Sequence, residues 1–108
     1  GCHNKPSFEI VTDEINSFKF SKVFFIIGGT KEKEWSEICK ILPSDYDYII
    51  TQPNNERALS IDRFKKQFDR NKLNYRYFSS LQTSMNYCKK NARKNDLIFI
   101  GGSLFMLS

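Results

Sequence analysis

The chain has 108 residues, 40% of them hydrophobic and 15% aromatic, with a formal net charge of +5. This is the length of one domain, with enough apolar side chains for a core. It has no apolar run near the roughly 20 residues that span a bilayer, and no charged leader followed by an apolar stretch. Cys2, Cys39 and Cys88 are odd in number and far apart, and a lone histidine completes no usual zinc set. Free thiols fit a reducing cytoplasm.

Pro6 to Phe18 reads as a helix, with Phe8, Val11, Ile15 and Phe18 on one apolar stripe and Pro6 in the first turn. Lys22 to Ile27 is an apolar strand closed by Gly28 and Gly29. Thr30 is the expected cap of the next helix, whose Trp35, Ile38, Cys39 and Leu42 share a face, and Pro43-Ser44 ends it. Tyr46 to Thr51 is a second strand, followed by a polar loop from Gln52 to Glu56. Ser60 to Asn71 is a helix with Ile61, Phe64 and Phe68 inward, and Tyr75 to Phe78 a short strand. Ser79-Ser80-Leu81-Gln82 resembles a capping box opening a helix with Leu81, Met85, Cys88 and Ala92 inward. Asp96 to Ile100 is the last strand.

Single helices between near-continuous apolar strands predict an α/β fold: a Rossmann-like three-layer sandwich with a mostly parallel sheet. The basic residues gather at Arg63, Lys65 and Lys66, at Arg70 and Lys72, and at Lys89, Lys90, Arg93 and Lys94. They lie opposite the apolar helix positions, which is a solvated face and not a nucleic-acid surface. Cys39 and Cys88 fall on apolar helix faces, as small buried hydrophobes.

The sharpest signals are at the two ends. The final strand runs into Gly101-Gly102-Ser103 and an apolar segment, so glycine backbone and a hydroxyl meet at a strand's carboxyl end. The chain opens with His3-Asn4 followed closely by Pro6. Between them come a strand ending in Gly28, the step Glu32-Lys33-Glu34, a strand ending in Thr51, and Arg57-Ala58-Leu59. In this order the motifs resemble the C-terminal domain of folylpolyglutamate synthase/dihydrofolate synthase, in the Mur ligase superfamily. That domain opens with Asp-Gly-Ala-His-Asn-Pro and ends in an apolar strand followed by Gly-Ser-Leu-Tyr. Two departures stand out: Lys5 separates Asn4 from Pro6, and the strand and aspartate that the family places ahead of the histidine are missing, so the sheet reads as truncated at its N-terminal strand.

The resemblance implies that residues 1–108 form a glutamate ligase domain whose P-loop central domain lies outside this chain. It implies a cytoplasmic ligase of folate biosynthesis and one-carbon metabolism. That parent enzyme would use ATP and Mg2+ to join L-glutamate to folate or dihydropteroate through an acyl phosphate. The chain alone would bind neither cofactor and would be inactive, contributing no catalytic residue and no metal ligand. His3, Arg57 and Ser103 would contact glutamate, with His3 and Asn4 also close to the nucleotide. Each has a plain structural reading beside it: His3 a flexible terminal residue, Asn4 and Ser103 helix caps, Arg57 a surface arginine. A basic balance suits anionic ligands such as ATP or a polyglutamate tail. Gly28-Gly29-Thr30-Lys31 resembles the end of a P-loop without its upstream glycine, and reads as a strand-to-helix turn. Neither a membrane nor a nucleic-acid partner is expected. Two other readings stand: another Mur-type amide ligase, and a non-catalytic Rossmann-like binding module.

Overall fold

The computed structural model describes residues 5–28, 34–52 and 60–101, apart from the Pro6 side chain. Helices and strands alternate from the first element. They are α1 (Lys5–Ser17), β1 (Val23–Gly28), α2 (Trp35–Ile41), β2 (Asp47–Thr51), α3 (Ile61–Arg70), β3 (Tyr75–Tyr77), α4 (Leu81–Asn91) and β4 (Leu97–Gly101). The strands form one sheet in the order β3-β2-β1-β4. Every pair is parallel, with Phe25 beside Tyr48 and Phe99, and Tyr48 beside Tyr75.

The period of two in a strand sorts the side chains onto two faces. Val23, Phe25, Ile27, Tyr48 and Ile50 join one core with Phe8 and Ile15 of α1, Trp35 and Ile38 of α2, and Phe64 and Phe68 of α3. Phe24, Ile26 and Ile49 join the other with Cys88 of α4. Helices therefore cover both faces, and the expected three-layer α/β sandwich is observed. Burial on both sides explains why Val23 to Gly28 is apolar throughout and buried at every position.

Local chemistry corrects several boundaries. Phe18 was expected on the inward stripe of α1. The helix ends at Ser17 and Phe18 stands 61% exposed, its ring 5.8 Å from that of Phe20. Thr12 is buried instead, its hydroxyl donating to the Phe8 carbonyl at 2.9 Å. The N-cap of α2 is Glu34, so Thr30, outside the described residues, is not its cap. The cap of α4 is Ser80 and not Ser79: the Thr83 N–H donates to Ser80 Oγ at 3.1 Å. Tyr46 precedes β2, and its hydroxyl ties the loop to α1 through Asn16 Oδ1 at 2.7 Å.

Candidate functional site

In an open parallel sheet, ligands collect outside the carboxyl ends of the strands, where loops and helix N-termini meet. Three such ends lie side by side here. Gly28 of β1 is paired with Thr51 of β2, and Gly101 of β4 with Ile27. The first, second and last strands thus end at one edge of the sheet.

Gly101 has a packing reason of its own. A Cβ there would sit 3.0 Å from Phe25 Cε1, so glycine lets the Phe25 ring fill the space beside β4. Thr51 is the buried polar residue of the strand Asp47-Tyr-Ile-Ile-Thr51. It is fully buried, and among the described residues its hydroxyl has no hydrogen-bond partner. In the sequence it stands only as the end of a strand. A threonine closing an aliphatic run was the available signal.

His3, Asn4, Arg57 and Ser103 lie outside the described residues, as do Gly29, Thr30, Lys31, Glu32, Lys33, Ala58 and Leu59. What the structure fixes is where their segments start. The loop carrying Arg57 leaves β2 after Thr51, and the segment carrying Ser103 leaves β4 after Gly101. Both depart from the same edge.

The amino end of the sheet has different chemistry. A hollow of about 430 Å³ there is lined by Lys22, Asp47, Asn74, Arg76 and Tyr87 among others. Lys22 pairs with Asp47 at 3.4 Å, and the Arg76 guanidinium lies 5.2 Å from the centre of the Tyr87 ring. Exposed pairs of this kind are worth little, and strand amino ends are not where such sheets bind ligands. We therefore place the candidate site at the carboxyl edge and not at the hollow opposite.

Neither thiol among the described residues suits nucleophilic work. Burial pushes Cys39 up to about 12, and burial followed by the Asp47 charge pushes Cys88 up to about 11. Both stay protonated at neutral pH, which fits their packing role. Among the described residues no three His, Cys, Asp or Glu side chains gather as a metal site requires. No helix among them is long and apolar enough to cross a membrane.

The family model for the Mur ligase, glutamate ligase domain, matches residues 1–104, and the chain belongs to that family. Dihydrofolate synthase/folylpolyglutamate synthase of Buchnera aphidicola subsp. Schizaphis graminum is 29% identical over 110 residues, covering 99% of this chain and 26% of that protein. Among solved structures, E. coli FolC in complex with ADP, without folate substrate, superposes with a TM-score of 0.79 at 18% identity, over 92% of this chain and 24% of that one. The bifunctional folylpolyglutamate synthase/dihydrofolate synthase of Yersinia pestis, complexed with AMPPNP and Mn ion, gives 0.80 at 16% identity, over 94% and 24%. The chain thus spans about a quarter of the length of these relatives. The resemblance read from its motifs holds at the level of family and fold.

Proposed function

We propose that this chain is the glutamate-orienting, C-terminal domain of an ATP-dependent ligase that adds L-glutamate to folate or dihydropteroate. The observation that carries the reading is the alignment of Gly28, Thr51 and Gly101 at one sheet edge, in a chain of the glutamate ligase domain family. In the proposed enzyme, a P-loop domain outside this chain would hold ATP and Mg2+; transfer of the terminal phosphoryl group to the acceptor carboxylate would release ADP, and the glutamate amine would then displace phosphate from the acyl phosphate to form the amide. No metal chemistry is routed through the described residues.

The work of this chain is positional. Arg57 pairs with a glutamate carboxylate through its planar fork of donors. Ser103 donates a hydrogen bond from its hydroxyl. His3 and Asn4 precede α1 in the chain; His3 contacts both the glutamate and the nucleotide, and Asn4 lies close to the nucleotide. Holding the amine in line can supply roughly 7–11 kcal/mol in favourable cases. Closing the domain over the acyl phosphate keeps water from competing.

The test is a glutamate titration of the full-length ligase at saturating ATP. Ser103→Ala should raise the glutamate requirement about 10- to 100-fold, the cost of a hydrogen bond to a charged group. The ATP requirement should stay unchanged, and Arg57→Ala should act in the same direction. Unchanged glutamate dependence in both variants overturns the assignment. Ligation to an acceptor other than folate or dihydropteroate would move the reading to another Mur-type amide ligase. The purified 108-residue chain should show no ATP turnover above blank.

A further inference from the structure

Charge is unevenly divided along the chain. Residues 1–62 hold seven lysines and arginines against ten aspartates and glutamates, while Arg63 to Arg76 hold six against one, Asp69. The basic stretch forms α3, the turn after it and the edge strand β3, so its cations gather at one edge of the sheet. Among the described residues none of the six forms a salt bridge; the pairs are Lys22 with Asp47 and Lys40 with Glu37. Two of the six lie over aromatic rings instead. Lys65 Nζ is 5.2 Å from the centre of the Tyr77 ring, and the Arg76 guanidinium is 5.2 Å from that of Tyr87. Cations gathered without carboxylate partners make a surface that attracts negative charge.

The edge itself is open for pairing. Strand β3 has β2 on one side and no described strand on the other. Tyr48 N–H donates to the Asn74 carbonyl at 3.1 Å, and Phe78 N–H to the Ile50 carbonyl at 3.0 Å. Backbone groups alternate in direction along a strand, so Asn74, Arg76 and Phe78 turn theirs towards β2, and Tyr75 and Tyr77 turn theirs outward. Side chains sort by the same period. Tyr75 packs on Phe68 of α3, Tyr77 stands on that face 39% exposed, and Arg76 lies on the α4 face. There Arg76 borders the hollow of about 430 Å³ that Lys22 also lines, so a carboxylate entering it meets two cations. Cations on an edge keep like edges apart. A second copy would bring the same six cations to the contact, whereas an acidic strand meets opposite charge.

We propose that the free edge of β3 binds an extended acidic segment of a partner protein, which adds a strand to the sheet through the outward N–H and C=O groups of Tyr75 and Tyr77. The side chains of the segment alternate. Apolar ones lie on the face of Tyr75 and Tyr77, and carboxylates on the other face reach Arg76 and the mouth of the hollow. Backbone pairing supplies affinity and the alternate side chains specificity, as strand addition does elsewhere. A protein segment fits this edge better than a single-stranded nucleic acid. The groups on offer are strand amides and carbonyls, and the Tyr77 and Tyr87 rings on which bases would stack already carry cations. The surface is separate from the carboxyl ends of β1, β2 and β4, and its role does not depend on what binds there.

The test supplies such a segment. A peptide of about eight alternating Val and Glu residues, within the usual strand length, is blocked at both ends and titrated into this chain at low salt. Amide hydrogen exchange is read for residues 75–77 and 97–101. At saturation the amides of Tyr75 and Tyr77 should exchange at least about ten-fold more slowly, as release of the added strand comes to limit them. Those of β4 should be unchanged. Arg76→Glu should weaken binding at least about ten-fold, and so should salt at about 0.5 M, which screens exposed charges. Should Arg76→Glu lose its circular dichroism, Arg76→Gln gives a smaller loss in the same direction. An alternating Val and Lys peptide, and the Val and Glu peptide N-methylated along its centre so that neither edge can pair, should not bind. Equal binding by either control, no binding of the acidic peptide at millimolar concentration, or protection of β4 in place of β3 overturns the proposal. So does an oligouridylate of equal charge that competes at the same concentration or lower, because the surface would then be one for nucleic acid. Binding to this chain but not to the full-length ligase overturns it too, since the edge would be covered within that protein.

Discussion

The two faces of the sheet are made from adjacent residues of the same strands, yet they are covered very unequally. Over one face three helices meet, and the aromatic rings gather there. Phe8 touches Trp35 at 5.9 Å between centroids, Trp35 touches Phe64 at 4.5 Å, and Phe64 touches Phe68 at 5.2 Å. Phe68 reaches Tyr48 at 5.5 Å, and Tyr48 reaches Phe25 at 5.7 Å. Over the other face α4 is the one helix among the described residues, with Cys88 fully buried and Leu81, Met85, Ile98 and Ile100 half-buried around Phe24, Ile26 and Ile49. A uniform-looking strand such as Val-Phe-Phe-Ile-Ile-Gly reports that both faces are buried. It does not report how many helices share the load.

Phe24 and Phe25 measure that inequality directly, since they are neighbours on opposite faces. Phe25 is fully buried and packs against Phe8, Tyr46, Tyr48 and Phe99, the last at 4.9 Å. The ring contacts of Phe24 are with Tyr87 at 6.4 Å and the Lys22 ammonium at 5.6 Å. Truncating a buried Phe to Ala costs about 3–5 kcal/mol, more where the surroundings cannot collapse. Phe25→Ala should fall at the upper end of that range and Phe24→Ala at the lower, both read from urea unfolding midpoints. The reverse order would show that the α4 face, and not the aromatic face, limits stability.

Alkali sharpens the same comparison through the two thiols. Cys39 sits on the aromatic side and Cys88 under α4. Both fold with thiol pKa values raised above the ordinary 9.0, to about 12 and about 11. A raised acid keeps its proton in the folded state, so its contribution is complete below about pH 9 and is lost as pH rises towards the folded value. Each thiol should cost up to about 1.4 kcal/mol per pH unit in that window. Between pH 9 and 10 both thiols titrate in the unfolded chain, and Cys39→Ala or Cys88→Ala should each remove about half of the part of the slope that these two thiols contribute. Above pH 11 only the Cys39 share of the thiol slope persists. Tyr46, pushed up to about 12 mainly by burial and then by the Asp45 charge, adds its own loss above about pH 10. Denaturant midpoints taken every half pH unit check this. A slope untouched by either substitution would assign the alkaline loss to the tyrosines.

Element order, strand direction and most of the core could be read from the sequence because they are periodic: Phe8, Ile15, Trp35, Ile38, Phe64, Phe68 and Cys88 repeat on helical faces and are buried. The misses occur where periodicity stops. Phe18 keeps the spacing of its stripe, but the chain has left the helix by then, and Ser21 N–H instead donates to the Asn95 carbonyl at 2.8 Å, turning the chain towards β1. Ser79 and Ser80 have the same side chain, and only the extended backbone of Ser80, at φ −140° and ψ 157°, presents its oxygen to Thr83. The candidate site is legible only as a set of strand ends. Its side chains belong to connecting segments, whose residues follow no repeat that a face or a register could test. Their proposed roles therefore rest on motif order together with the shared edge at Gly28, Thr51 and Gly101.

The smallest expected effect concerns Thr51, where the α4 side of β2 ends. Strand alternation puts it on the same face as Ile49, and its hydroxyl is buried without a partner among the described residues. Burying a hydroxyl unpaired costs about 1–3 kcal/mol, and replacing it by an apolar group of the same shape removes that cost. Thr51→Val keeps the β-branched outline that a strand favours. It should therefore raise the unfolding midpoint of this chain by the equivalent of about 1 kcal/mol, while Thr51→Ser, which keeps the hydroxyl and loses a methyl, should lower it. Thermal or urea unfolding of the two variants side by side decides the matter. A loss of stability in Thr51→Val would mean that the hydroxyl is hydrogen-bonded in solution, and the α4 face would then end in a polar anchor instead of an uncompensated one.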